Sequence, residues 1–329
     1  MRVVLDVDPG VDDALAILLA LRSREIDLAG VTTVAGNVSV EQATRNALAV
    51  LEVAGAVSVP VHSGAARPLV GRLTTATLFH GADGLGDVGV PAPRTEASAP
   101  SAAEFLRDMA NARGEPLTVI ALGPLTNIAL ACELDAQWPK RVGRVVAMCG
   151  AVGVPGNVTP VAEANCYADP EAAAAVLSSR LPMTLVPLDV TRRAALSTER
   201  LQERLRATGP RPESPSGLAA ALLKFYVAMA ARLGFPAAAL HDPLAVAVAL
   251  QPGLVSTRRL RVDVELSGKL TRGQTVAVMS GRREVVAGRG DNDDVIGIED
   301  VEGNVDVALE VDVDGFLDLF LGRVLGAER

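Results

Sequence analysis

RVVLDVDPGVDDALAILLALRS, residues 2–23, decides how the rest of the chain is read. Residues 2–7 are rich in Val and Leu and form the pattern of a short buried strand. Pro9-Gly10 breaks it, and the run that follows has the length and the good helix formers of an α-helix. Strand, turn and helix thus make the opening unit. The rhythm returns at LAGVTTVAG (28–36) with SVEQATRNALAVLEVAG (39–55), at PLTVIALG (116–123) with PLTNIALACEL (124–134), and at VGRVVAMCG (142–150). This alternation predicts an α/β fold, a single domain over 1–329 with a mainly parallel, Rossmann-like central sheet flanked by helices.

In open sheets of that kind, ligands collect outside the carboxyl ends of the strands. The informative polar residues stand there: Asp6 and Asp8 close the first strand, Asn37 follows TTVAG, Leu122 and Gly123 follow LTVIA, and Met148 follows RVVA. Beyond position 200 the pattern loosens into a Pro/Ser-rich connector (209–217), a helix (218–234), a further helix start at HDPLAVAVAL (241–250), and paired strands from RLRVDVEL to VAVMS turning near GKLTRGQ. The acidic stretch GRGDNDDVIGIEDVEGN (288–304) lacks apolar periodicity and reads as a solvated loop. As a calcium loop it lacks the closing Glu of an EF-hand.

With 329 residues and 49% hydrophobic composition, the chain can bury a large core. Its net charge of -8 argues against nucleic-acid or anionic-membrane partners and suits a small neutral or cationic ligand. Cys132, Cys149 and Cys166 are odd in number and lack metal-type spacing, so they are expected to be reduced thiols and not a disulfide framework. No basic start followed by an apolar h-region and no long uncharged apolar run is seen, which leads to an expected cytoplasmic location.

The strongest local signal is DVDPGVDD, where Asp6, Asp8, Asp12 and Asp13 fall within eight residues. Clustered carboxylates repel one another unless a cation sits among them. On a strand Asp6 and Asp8 share a face, and the Pro-Gly turn brings Asp12 and Asp13 to the same rim. A hard divalent ion would use these oxygens, with Ca²⁺ preferred over Mg²⁺ and zinc disfavoured by the absence of a His or Cys cluster. The plainer reading is that Asp12 or Asp13 caps a helix, whose exposed N–H groups welcome a carboxylate.

DVDPGVDDA (6–14), TVAGN (33–37), HGADGLG (80–86), GPLTNIA (123–129), GNVTPVAEAN (156–165) and HDPLAV (241–246) together resemble the successive signatures of the inosine-uridine preferring nucleoside hydrolase family. The resemblance implies hydrolysis of the N-glycosidic bond of ribonucleosides to ribose and a free purine or pyrimidine base, as in nucleoside salvage, by a homo-oligomer (dimer or tetramer). It further implies that Asp8, Asp13, Asp242 and the Leu122 carbonyl hold Ca²⁺, with Asp6 behind them, and that Asp8 takes the proton of a water activated by the ion. Asp12, Asn37, Asn157, Glu163, Asn165 and Asp242 would receive the ribose, with Met148 lining the sugar pocket. Where the family commonly carries a bulky aromatic between that Glu and Asn, this chain has Ala164.

Cleaving the bond builds positive charge on the sugar ring, which fixed carboxylates and amide oxygens stabilise. The departing base needs a proton or a hydrogen bond, for which His241 is the first candidate. His80, in a glycine-rich stretch, would contact the nucleoside and exclude water. His62, beside a Val-Pro run, reads as a surface or core residue and not as part of the site. The helix with Phe225, Tyr226 and Arg232 resembles the mobile wall that contacts the base in relatives, and its apolar stripe also reads as core. The other residues have an ordinary reading too: a hydrogen-bonded structural His for His241 and an Asx-turn loop for 156–165. Two other functions fit parts of the pattern. The D-x-D at a first strand end resembles that of haloacid dehalogenase-type phosphohydrolases, with Asp6 as nucleophile, and a calcium- and nucleoside-binding protein without turnover would keep the same pocket.

Overall fold

The computed structural model describes residues 1–73, 75, 77–112, 114–279, 283–287, 296–300 and 302–326. Six short strands open the chain: β1 (Arg2–Val7), β2 (Asp27–Thr33), β3 (Val61–Ser63), β4 (Thr118–Ala121), β5 (Arg144–Ala147) and β6 (Met183–Leu185). They are followed by β7 (Ala195–Leu196), β8 (Ala238–Ala239), β9 (Val255–Leu260), β10 (Val262–Val264), β11 (Thr275–Ala277), β12 (Arg283–Ala287), β13 (Ile296–Asp300) and β14 (Val305–Val311). The central sheet has eight strands in the order β3-β2-β1-β4-β5-β6-β14-β9. All its pairings are parallel except that of β9 with β14, as the strand–helix alternation predicts.

Strand order reverses between β1 and β4. The chain first steps outward from β1 through β2 to β3, then returns to lay β4 on the other side of β1. Connections diverge there to opposite faces and leave a crevice at the carboxyl ends of the strands. The register pairs Asp6 with Ala121 across β1 and β4, and with Thr32 across β1 and β2.

Side-chain alternation along β1 sends Val3, Leu5 and Val7 into one apolar layer and Val4 into the other. The first layer is organised by the helix Val11–Leu21, in which every residue from Val11 to Ala20 is buried. A helix apolar on all sides belongs inside a protein, and this one packs between the helices Val40–Val53, Pro215–Arg232, His241–Leu250 and Val313–Val324. The second layer gathers Leu106, Ile128 and Trp138, whose indole N–H donates to the Leu106 carbonyl at 2.9 Å.

Two expectations change. The strands paired near GKLTRGQ are present as β10 and β11, but the acidic stretch 288–304 is not all loop. Ile296–Asp300 forms β13 and pairs antiparallel with β12, because Ile296 and Ile298 favour a strand despite the charges beside them; residues 288–295 and 301 lie outside the described residues. The cysteines are not all reduced: Cys149 and Cys166 form a disulfide, with Cα atoms 6.0 Å apart. Seventeen residues separate them in sequence, but the turn after β5 and the helix Ala164–Ala168 fold face to face. Cys132 alone is a free thiol, its pKa pushed up to about 11 by burial. His62, read as a surface or core residue, is in the core: it stacks on Phe105 at 3.8 Å and its Nδ1 lies 2.8 Å from the Pro100 carbonyl. Among the described residues no helix is long and apolar enough to cross a membrane.

Candidate active site

The crevice at the switch point is acidic. Asp6, Asp8, Asp12, Asp13 and Asp242 are all buried, the last from the first turn of His241–Leu250, which runs beside Val11–Leu21. Carboxylate oxygens of Asp12, Asp13 and Asp242 come within 4.8 Å of one another. Asp8 stands outside that trio but is tied to it, since its backbone N–H donates to Asp13 Oδ1 at 3.2 Å.

Local structure explains how the chain holds such a cluster. Gly10 begins the helix Val11–Leu21 in extended conformation, and its N–H donates to Asp13 Oδ2 at 3.0 Å. Asp13 therefore does help cap the helix, and it does so while standing among the clustered carboxylates. Asp8 lies in a cradle of two glycines, where a Cβ on Gly36 would come within 2.1 Å of Asp8 Oδ2 and one on Gly123 within 2.8 Å of Oδ1. The bare backbone lets the Asn37 N–H donate to Asp8 Oδ2 at 2.6 Å, and the Asn37 side chain reaches Asp13 Oδ2 at 3.3 Å. Asp6 sits deeper. Thr32 Oγ1 and Asn127 Nδ2 donate to its Oδ1 at 2.6 and 2.8 Å, and its own carbonyl accepts the Leu122 N–H at 2.8 Å.

After these bonds, three buried oxygens of the cluster have no hydrogen-bond partner among the described residues: Asp6 Oδ2, Asp8 Oδ1 and Asp12 Oδ1. Burial raises every acid of the cluster, reinforced by repulsion from neighbouring carboxylates at Asp6, Asp8, Asp13 and Asp242. Asp6, Asp12 and Asp13 are pushed up to about 6, chiefly by desolvation, with the Asp12 charge adding to the rise of Asp13. Asp8 and Asp242 lie well above the ordinary carboxylate range, again by burial first, then by Asp13 for Asp8 and by Asp12 for Asp242. Unpartnered oxygens on like-charged groups in a dry pocket are what a cation relieves. The donors are all carboxylate or carbonyl oxygen, which suits a hard ion.

The sugar-side candidates converge from β5 and the loop after it. Asn165 Nδ2 donates to the carbonyls of Leu122 at 2.7 Å and Met148 at 2.9 Å, joining two sequence-predicted positions through a third. Glu163 is buried and accepts N–H groups of Gly150 and Cys166 through Oε2 and of Asn165 through Oε1. Burial nonetheless raises its pKa. Asn157 stands apart on the exposed side of the loop, where its Oδ1 accepts the Ala164 N–H at 2.9 Å. The Cys149–Cys166 bridge adjoins Met148 and Asn165 and ties the two sides of this wall together.

Both remaining histidines are at the rim. His80 is buried, with Nδ1 accepting the Val11 N–H at 3.1 Å and lying 3.8 Å from Asp12 Oδ1. Its glycine-rich turn is cross-braced, since Asp83 accepts the N–H groups of Leu85 and Asp87, and Asp87 those of Ala82 and Asp83. His241 is half-buried, with Nδ1 2.8 Å from Thr191 Oγ1. Desolvation lowers both imidazoles to about 4, His241 with help from the Arg192 charge, so both are neutral near pH 7.

Two features escaped the sequence. Tyr226, on the helix that reads both as core and as a base-contacting wall, brings its hydroxyl to 3.4 Å from Asp12 Oδ2. The segment Leu188–Arg192 fastens the pocket loop: Asp189 accepts the N–H groups of Val152 and Gly153, and Arg192 donates to the carbonyls of Pro155 and Gly156. No periodicity or motif signals either.

This fold and site define an α/β enzyme with an acidic, cation-suited pocket at the switch point of its sheet. The chain belongs to the inosine-uridine preferring nucleoside hydrolase family, whose pattern it matches over residues 3–318. It is thus an N-ribosyl hydrolase acting on the N-glycosidic bond of ribonucleosides. It is 37% identical over 326 residues to the pyrimidine-specific ribonucleoside hydrolase RihA of Shigella boydii, covering 98% of each chain. To uridine nucleosidase 1 of Arabidopsis thaliana it is 40% identical over 269 residues, covering 81% of this chain and 79% of the relative. The solved purine-preferring ribonucleoside hydrolase from Gardnerella vaginalis superposes with a TM-score of 0.86 at 34% identity, covering 99% of this chain and 98% of that one. The phosphohydrolase alternative falls on this membership and on geometry: Asp6 is fully buried beneath the crevice, with one oxygen held by Thr32 and Asn127.

Proposed function

We propose that the chain hydrolyses ribonucleosides with Ca²⁺ held by Asp8, Asp13, Asp242 and the Leu122 carbonyl. The observation that carries this reading is the pair of buried, unpartnered oxygens Asp8 Oδ1 and Asp12 Oδ1 amid five carboxylates at the switch point. Calcium bound there supplies an electrophile that acidifies water and steadies ribose hydroxyls.

The chain's own residues do the rest. Asp8, fixed by the Asn37 N–H through Oδ2, takes the proton of the attacking water with its free Oδ1. Asp12, Asn37, Glu163, Asn165 and Asp242 grip the ribose hydroxyls, with Asn157 closing from the loop and Met148 beneath the sugar. Positive charge growing on the ring is stabilised by these preset acids, and because they are already oriented the transition state gains more than the ground state. His241 hydrogen-bonds the departing base, and His80, locked against the Val11 N–H, contacts the nucleoside and keeps water out. Tyr226 holds Asp12 in place.

Both base classes stay within this reading, since relatives named for pyrimidine and for purine substrates lie at similar identity. Assembly into a homo-oligomer is supported by Leu266, Leu270, Val276 and Met279, all exposed in the region of the β10–β11 hairpin. The deciding experiment is a panel of purine and pyrimidine ribonucleosides assayed for free ribose, before and after chelation and with Ca²⁺ restored. Binding without ribose release would instead identify a non-catalytic nucleoside-binding protein.

A further inference from the structure

Thr191 closes the short helix Leu188–Thr191 after β6 and is 0% exposed. Its Oγ1 lies 2.8 Å from His241 Nδ1, and no other side-chain partner of that hydroxyl is found among the described residues. A hydroxyl sealed from water must donate somewhere, because an unsatisfied buried donor costs free energy. The acceptor in reach is Nδ1, so the neutral ring carries its hydrogen on Nε2. The same turn is braced on both flanks: Asp189 accepts from Val152 and Gly153, and Arg192 donates to Pro155 and Gly156. Thr191 is therefore anchored, through its neighbours, to the loop that walls the sugar pocket while its own hydroxyl meets His241.

We propose that Thr191 is a positioning residue for the hydrolysis, fixing the His241 ring in orientation and in the Nε2–H form so that this nitrogen offers its hydrogen to the departing base. No proton changes owner in this step; a hydrogen bond strengthens as charge grows on the base. The inference rests on the role given to His241 above.

The test compares Thr191→Val, Thr191→Ser and His241→Ala on natural nucleosides and on nitrophenyl riboside, whose leaving group needs no such help. Thr191→Val is expected to lower kcat on nucleosides by ~10-fold with KM nearly unchanged, the scale of loss seen when a supporting hydrogen bond is removed, and to spare nitrophenyl riboside. Thr191→Ser restores the rate, and Thr191→Val adds nothing further in the His241→Ala background. Nitrogen-15 spectra of the histidine rings in the unaltered protein show the Nε2–H tautomer for His241. Equal loss on both substrates in Thr191→Val beside a selective loss in His241→Ala overturns the assignment of Thr191 alone, as does an Nδ1–H tautomer. Equal loss in His241→Ala overturns the role of His241 and this inference with it.

Discussion

The backbone N–H of Asn37 donates to Asp8 Oδ2 at 2.6 Å and leaves Asp8 Oδ1 buried with no partner. One oxygen is thus spent on orientation and the other is kept for chemistry. Asp8→Asn preserves the bond from Asn37 but removes the base, so the fold persists while kcat falls by at least ~10²-fold, as loss of a general base does. Ribose release at the unaltered rate would refute the assignment. Gly36→Ala places a Cβ against Asp8 Oδ2 and is expected to lower kcat without altering any polar residue.

His241→Ala is expected to slow nucleosides with poor leaving groups far more than nitrophenyl riboside, by ~10²-fold on the former. Steady-state kinetics on the two substrate types measures the difference directly. Parallel losses would remove His241 from the departing-base side.

Metal and pH act on the same acids. Asp6, Asp12 and Asp13 have folded-state pKa values raised to about 6 from 3.8, so the folded chain binds more protons than the unfolded chain between those values. Without a divalent ion, stability is therefore lost as pH rises from about 4 through about 6. Thermal melts in chelator should show Tm increasing from pH 7.5 down to pH 5. Saturating Ca²⁺ should raise Tm at pH 7.5, by ~2.7 kcal/mol of stability at a hundredfold excess over Kd, and should flatten that slope. A chelator-insensitive Tm and rate would show that no ion is held there.

The disulfide makes a separate prediction. Denatured without reductant, the chain should expose one alkylatable thiol, Cys132, and after reduction three. Replacing Cys149 and Cys166 together by Ser opens a covalent loop of 17 residues in sequence separation, a cross-link of the size that contributes about 3 kcal/mol. Because Met148 and Asn165 are the adjoining residues, KM for nucleosides should rise along with the drop in Tm.

What could be read in the sequence follows the range of the interactions involved. Asp8, Asp12 and Asp13 were visible because one strand, one turn and one helix start place them together, all within a single short stretch. The parallel sheet was visible because each strand–helix unit repeats the same local pattern. Asp242 came only through family resemblance, since nothing near it announces an acid cluster 229 residues upstream. Thr191, Asp189 and Arg192 were invisible: LDVTR is an ordinary sequence until the helices Leu188–Thr191 and His241–Leu250 are set side by side. The contact of Tyr226 with Asp12 was not legible, because apolar spacing on a helix reports which face is buried and not where one hydroxyl ends. The Cys149–Cys166 pairing failed for the same reason, a contact made by tertiary approach of two short elements.

The pairing of Asp6 with Ala121 across β1 and β4 has an outcome for how the enzyme comes alive. Strand side chains alternate with a period of two, so sliding one strand by a single step would turn Asp6 outward and drive Val7 into its place. These partners stand more than a hundred residues apart along the polypeptide. Maturation therefore has no half-working stage: until the distant segments zip together in frame, the pocket does not exist, and on heating, turnover and native architecture should vanish in the same transition.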